Sequence, residues 1–368
     1  MTSRQLRWGL ASSVAMAVLI LDSHTALIGA KEGIELCIGS LIPSLFPFFI
    51  LTSLLTGSLL GTRLPLLRLP AKAAGIPQGC ESLLIPAFLG GYPAGAQCIA
   101  QAYSRRHISE DSAKRALLFC NNPGPSFLFG ILTPFFPDKR CLWALWGIQI
   151  GVALVWGWIL PPCEEKEGII APGEVSVTKA VSTAIRSMAS VCGWVILFRV
   201  LIVFAQRWFL WMVSPWLQVV LTGVLELSNG CTSLAMIQDI RLRFVICAGL
   251  LSFGGLCVTM QTASMVQGFS VRPYVLSKLA QSLLCVWIAA AMVRKQLWML
   301  LFSAVFCLCL KKTVAFRATV LYNGAINQRR NPYAVSKENG ARLRLLPERR
   351  TAGRGSDPLH QKRSAQSR

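Results

Sequence analysis

Charged side chains are scarce in this chain: they make up 14% of its 368 residues, against 54% apolar, at a mean hydropathy of +0.53. That balance excludes a soluble globule and describes a chain that crosses a bilayer repeatedly. Histidine is scarcer still, with three, and His107 lies in a basic loop with no nucleophile near it in sequence. Neither a Gly-x-Ser-x-Gly turn nor a Walker-type phosphate loop occurs. Their absence argues against an acyl-transfer enzyme and against an ATP-driven pump within this chain. Nor is there a Cys-x-x-Cys pair. The cysteines stand mostly alone in apolar segments, Cys37, Cys120, Cys192, Cys247, Cys257 and Cys285 among them. There a thiol behaves as a small hydrophobe and not as a zinc ligand. No enzymatic activity, catalytic residue, metal or cofactor is expected.

What is present is a series of apolar runs, at roughly 8–30, 36–60, 82–103, 116–137, 141–162, 190–212, 216–237, 244–266, 274–293 and 296–310. About 20 apolar residues span a bilayer, so about eight to ten membrane segments are expected, some of them re-entrant. The first run follows Arg4 and Arg7 but is interrupted by Asp22 and His24, so it reads as a retained helix and not as a signal peptide. Two runs are broken in their middles, by Gly90-Gly91-Tyr92-Pro93 and by Asn121-Asn122-Pro123-Gly124-Pro125. Each proline removes a donor and frees carbonyls that hydrocarbon leaves unsatisfied. Such breaks persist at membrane depth where they are buried in protein or line a polar cavity, which in transporters is where the substrate sits.

The sequence falls into two comparable halves. Each opens with a long apolar stretch, then shows a broken segment, a short basic stretch, a second break and an ordinary span. Leu89-Gly90-Gly91 is matched by Glu226-Leu227-Ser228-Asn229-Gly230, and Asn121-Asn122 by Phe253-Gly254-Gly255. The fold class expected is therefore an all-α polytopic membrane protein in two repeated halves with paired broken or re-entrant helices. Its parts are a first membrane helix (1–30), a first repeat (31–160), a linker (161–177) and a second repeat (178–295). A short apolar segment (296–312) and a basic, disordered tail (313–368) complete it.

The net charge of +21 is unevenly spread: 14 Lys/Arg against 3 Asp/Glu lie between Lys311 and Arg368. A basic tail beside anionic lipid explains this better than nucleic-acid binding does. The other basic residues sit in short connections: Arg63 and Arg68, Arg105-Arg106, Lys114-Arg115, Lys139-Arg140, Arg294-Lys295. The positive-inside rule assigns all of these to the cytoplasm, with the tail, and Glu164-Glu165-Lys166-Glu167 to the other side.

Helix ends released at the breaks offer unpaired N–H groups and positive dipole ends, which suit an anion. Candidate binding residues are Gly91, Tyr92, Gly95, Gln97, Asn121, Asn122, Gly124, Glu226, Asn229, Gly230, Gly254, Gly255 and Gln261. The glycines would admit a ligand or backbone closely. Gln97 and Gln261 would touch ligand or make a helix–helix hydrogen bond, and the asparagines would read a carboxylate or satisfy freed backbone. Tyr92 and Phe253 would stack on a ring or pack within the bundle. Glu226 and Arg199 are intramembrane charges, for which function or mutual pairing is the default reading.

Phe46-PFFILTSLL, Gly90-GYPAGAQ, Phe119-CNNPGPSFLFG, Glu226-LSNG and Ser252-FGGLCVTMQTAS, taken together and in order over roughly residues 8–295, resemble the YlbJ-like sporulation integral membrane proteins. Those belong to the wider nucleoside-recognition, or Gate, domain group. The resemblance implies a multi-pass protein of the mother-cell-derived outer forespore membrane, with membrane lipid and a small anionic substrate as partners. Its better-understood member is implicated in moving dipicolinic acid, a planar dianion. A nucleoside carrier and a non-transporting component of spore-envelope assembly are the alternatives. The sequence leaves the oligomeric state open. From about Thr313 onward the family pattern stops, and Pro125 adds a second proline beside Pro123.

Overall fold

The computed structural model describes residues 3–161, 163, 176–266, 268–296 and 307–312, which fall within one unit, Met1–Ala315. The expected tail, most of the linker and most of segment 296–312 lie outside the described residues. Every regular element among the described residues is helical, and the chain is an all-α polytopic membrane protein. Five stretches are long and apolar enough to cross a membrane: Ser23–Leu59, Lys139–Ile159, Val177–Trp208, Ile240–Met265 and Arg272–Val293. Shorter apolar helices lie at Gln5–Leu21, Glu81–Gly90 and Pro215–Leu225.

The elements in order are α1 (Ser3–Leu21), α2 (Ser23–Leu36), α3 (Ile42–Leu59), α4 (Pro65–Ala73), α5 (Ala94–Ser104), α6 (Glu110–Leu117) and α7 (Pro125–Ile131). Then come α8 (Lys139–Ile159), α9 (Val177–Trp208), α10 (Pro215–Leu225), α11 (Leu227–Thr232), α12 (Ile240–Phe253), α13 (Gly255–Met265) and α14 (Arg272–Val293). Polar caps set where several begin. Asp22 accepts from Thr25 N–H at 3.3 Å, Asp138 from Arg140 N–H at 2.8 Å, and Asp239 from Arg241 N–H at 2.8 Å. A capping carboxylate satisfies a donor that the helix itself leaves orphaned. Asp22 therefore divides the apolar run at 8–30 between α1 and α2. A π-helical turn, Cys37–Leu41, joins α2 to α3 without a break.

Helix α8 serves as a ruler. Its 21 residues span about 31 Å, one hydrocarbon thickness. At its C-terminal end Arg115 donates to the carbonyls of Gly157 (2.6 Å), Leu160 (3.2 Å) and Pro161 (2.7 Å). At its N-terminal end, beside Lys139, Arg243 donates to Phe135 O (2.7 Å) and to Ile237 O. The expectation that all short basic connections share one membrane face is thus corrected: Arg105-Arg106 and Lys114-Arg115 lie at the opposite end of α8 from Lys139-Arg140. Arg115 is spent on carbonyls at the end of α8, but Arg105-Arg106 and Lys139-Arg140 are all exposed, so solvated basic pairs stand at both ends and the count of such charges does not separate them. Arg68, similarly, lies 3.4 Å from the fully buried Glu81.

Each break belongs to a segment with a definite course. Cys80 Sγ lies 3.8 Å from His107 O, so the segment 81–104 enters and leaves at the Arg115 end, turning at Gly91–Pro93. From that end α6 runs inward, breaks at Asn121–Gly124, and α7 continues to the Arg243 end. The stretch 215–237 enters from the Arg243 end, its two arms meeting where a Cβ on Gly230 would clash with Gly223 Cα. Helix α12 then runs inward from that end, breaks at Gly254-Gly255, and α13 continues toward Phe269, whose ring lies 5.3 Å from that of Tyr103.

Helices α2 and α9 are antiparallel and in close contact, because Gly29 and Gly33 present backbone to backbone. A Cβ on them would lie 2.8 Å from Val200 Cα and 2.9 Å from Ile196 Cα, the small-xxx-small arrangement of membrane helices. Beside this seam Arg199 donates through Nε (2.9 Å) and Nη2 (2.7 Å) to Glu32 Oε2. A Glu226–Arg199 pair is therefore not formed: Glu32 is Arg199's partner, and Glu226 is used elsewhere. Arg199→Met leaves the Glu32 carboxylate without its cation and is expected to cost roughly 3 kcal/mol. The double variant Glu32→Met/Arg199→Met should recover most of that loss in thermal unfolding. Equal destabilisation by both would show that the pair contributes nothing specific.

Candidate functional site

Within each half the two breaks touch. A Cβ on Gly91 (φ +78°) would lie 3.0 Å from Gly124 N, and one on Gly124 would lie 2.8 Å from Gly91 N and from Leu89 O. In the second half a Cβ on Gly255 (φ +82°) would lie 2.9 Å from Gly223 O and 3.3 Å from Leu227 N. Glycine is required at 91 and 255 both for its left-handed backbone and for the approach of a second chain segment.

The breaks of one half also meet elements of the other. Tyr92 Oη donates toward Leu251 O (3.0 Å) and Ser252 O (3.2 Å), at the frayed end of α12, and its ring covers Gly254. Asn121 Nδ2 donates to Thr262 Oγ1 (2.9 Å) and Tyr274 Oη (3.0 Å). Asn122 Nδ2 donates to Phe119 O (2.7 Å), holding the freed backbone, while its Oδ1 accepts from Lys278 Nζ at 2.9 Å. Lys278 is 1% exposed and lies 5.6 Å from the centroid of the Tyr92 ring. Among the described residues no carboxylate pairs with it. Asn121 Oδ1 and Ser126 Oγ, at the same break, are buried with no hydrogen-bond partner among the described residues.

Tyr92→Phe should cost about 1 kcal/mol in thermal unfolding, because two carbonyls at the end of α12 lose a donor. Unchanged stability would mean that the contact between the halves does not bear load.

At the second-half break, Glu226 accepts from Ser228 N–H (2.9 Å), Asn229 N–H (2.7 Å) and Asn229 Nδ2 (2.6 Å). Its carboxylate is itself the anion at the start of α11, so that helix end is already filled. Helix α7, with seven residues, and α11, with six, are too short to develop much dipole. The basic side chain at this centre is Lys278, with the N-terminal ends of α5 and α13 at the breaks.

A cavity of about 30 Å³, room for about one water, lies between the halves. Of the residues expected from sequence, Tyr92, Glu226 and Gln261 line it, with Leu41, Phe127, Val191 and Ser228. The others lie around it. Gln97 Oε1 accepts from Ser187 Oγ at 2.8 Å, and Gln261 Nε2 lies 3.2 Å from Cys257 Sγ on its own helix. Gly95 sits against the backbone of Cys120. Among the described residues no three His, Cys, Asp or Glu gather as a metal site would need.

Lys278 was not among the sequence candidates. It is a lone cation in an apolar span, and a reading of every intramembrane charge would find it. Ser277 Oγ (2.9 Å) and Gln281 Nε2 (2.8 Å) donate to Leu118 O on either side of it, tying this face of α14 to the first-half break.

Comparison with known proteins agrees with this architecture. The sporulation integral membrane protein YlbJ of Bacillus subtilis (strain 168) is 24% identical over 348 residues, covering 78% of this chain and 81% of that protein. The chain is YlbJ-like. It is a multi-pass membrane protein, and its likeness to YlbJ covers too much of the chain to be confined to one half. No protein-family model matches it, and no solved structure matches it at a significant level.

Proposed function

We propose that this YlbJ-like chain is a sporulation-associated membrane transporter that moves a small organic anion, with dipicolinate as the substrate and the outer forespore membrane as the site. The sporulation setting rests on the likeness to YlbJ, and dipicolinate on the family resemblance of the sequence motifs. The observation that carries the transport reading is Lys278, a buried lysine amine with no paired carboxylate among the described residues, hydrogen-bonded to the Asn122 break. A buried charge is retained where it is paired or used, and an anion arriving at the breaks would supply the pairing.

The course of the chain supports the same reading. The first half presents a broken hairpin from the Arg115 end and a broken crossing beside it; the second half presents the same from the Arg243 end. We read this as an inverted-topology repeat, the construction that lets a central site face either side in turn. A pyridine dicarboxylate needs several times the room of the 30 Å³ cavity, so in this reading the hairpins part to admit it.

The test is ligand-dependent thermal stabilisation of the purified full chain. A ligand at a hundred times its Kd adds about 2.7 kcal/mol. Dipicolinate is expected to stabilise the wild type and not Lys278→Met. Stabilisation by nucleosides alone would replace the substrate assignment. Loss of the spore phenotype on truncation after Lys312, with dipicolinate binding intact, would favour an assembly role instead.

A further inference from the structure

Lys278 does not reach the cavity between the halves. Neither it nor its partner Asn122 lines that space, whereas Tyr92 does. The Tyr92 ring also stands with its centroid 5.6 Å from Lys278 Nζ, so this one side chain belongs both to the cavity wall and to the surroundings of the lysine. Among the described residues the charged side chain lining the cavity is Glu226. An anion lodged there faces a like charge in a water-poor interior, which disfavours it unless the basic group beside the ring is uncovered.

The ring is held at two ends that belong to different halves. Its backbone follows Gly90-Gly91 at the turn of the first-half hairpin, where Gly91 lies against Gly124. Its hydroxyl donates to Leu251 O (3.0 Å) and Ser252 O (3.2 Å) at the end of α12 in the second half. The ring is seated on Gly254, where a Cβ would lie 3.1 Å from Tyr92 Cζ. A movement that parts the halves therefore takes the hydroxyl off these carbonyls and frees the ring.

We propose that Tyr92 is the gate between the cavity and Lys278. With its hydroxyl on Leu251 and Ser252 the ring closes the cavity from the lysine amine; once the hydroxyl is released the ring leaves and the anion meets Lys278. Tyr92 is then a positioning residue and not a stacking ligand. This gate rests on the transport reading given above.

The test places a thiol behind the gate with Lys278→Cys, in the full chain in proteoliposomes. Its modification by a small anionic methanethiosulfonate is read by peptide mass spectrometry. Tyr92→Phe keeps the ring and removes the hydroxyl, and is expected to speed modification at position 278 about fivefold, the worth of one hydrogen bond. Tyr92→Ala removes the ring as well and should speed it further. Cys231, fully buried in α11 and outside the cavity lining, should react as slowly as before in both. Equal acceleration at Cys231 would mean general loosening and would overturn the gate, as would an unchanged rate at position 278 in both variants. With Lys278 kept, Tyr92→Phe should raise the maximal rate of dipicolinate uptake about fivefold at unchanged KM. A rise in KM alone would make the ring a ligand and overturn the gate. Acceleration at position 278 without dipicolinate uptake by the wild type would leave the gate standing and remove the transport reading.

Discussion

Lys278→Met is expected to reduce anion uptake by at least about a hundredfold while leaving the protein as stable as the wild type, or more so. The two effects separate because they have different causes. Methionine fills nearly the same volume, and replacing a buried cation with an apolar side chain removes a desolvation cost. What is lost in the fold is one charge-assisted hydrogen bond to Asn122 Oδ1, about 1.5–3 kcal/mol. What is lost in function is the counter-charge for a dianion, and in a water-poor interior two such charges attract by several kcal/mol. Lys278→Arg keeps the charge but brings a planar fork into a space shaped for an ammonium, so partial activity is expected. If Lys278→Met instead fails to accumulate in the membrane while Asn122→Asp accumulates and transports normally, the lysine is a structural post.

The second large effect is expected at Gly95. A Cβ placed there would lie 2.0 Å from Cys120 O and 3.2 Å from Asn121 Cα. Both are backbone atoms of the other first-half break, and neither swings aside as a side-chain tip does. Gly95→Ala should therefore cost more than the usual 1–3 kcal/mol of an overpacked core, and little folded protein should reach the membrane. At Gly193, within α9, an added Cβ would have no neighbour within 4 Å. Alanine there should be neutral or stabilising by up to about 1 kcal/mol, as in any exposed helix interior. Equal accumulation of the two variants would show that the breaks do not touch as described.

The helical, multi-spanning character was legible in the sequence because apolar runs of spanning length have one physical meaning. The breaks were legible because Gly91 and Pro93, Pro123, and Gly254 stand in clusters of glycine and proline, where continuing a helix is most costly. Which break meets which was not legible: the contacts of Tyr92 with α12, and of Asn121 with Thr262, join residues more than a hundred positions apart and carry no local signature. The membrane-face assignment failed for a related reason. Arg115 looks like a loop charge in sequence, and only the fold shows its guanidinium satisfying carbonyls at the end of α8; that the exposed pairs Arg105-Arg106 and Lys139-Arg140 stand at opposite ends follows from the course of the chain. Glu226 was rightly singled out as a buried charge, yet its partners are the N–H groups of Ser228 and Asn229 and not Arg199. Lys278 interrupts nothing: it sits in an unbroken helix facing the breaks, so no glycine or proline marks its place.

The central claim is that the meeting of the breaks around Lys278 is a path for a small organic anion. Uptake of labelled dipicolinate into proteoliposomes containing the purified full chain tests it most directly, with Lys278→Met vesicles as the control. The expected result is saturable uptake by the wild type, absent from Lys278→Met and undiminished by excess nucleoside. Uptake no faster in wild-type vesicles than in protein-free ones, or equal in wild type and Lys278→Met, would contradict it.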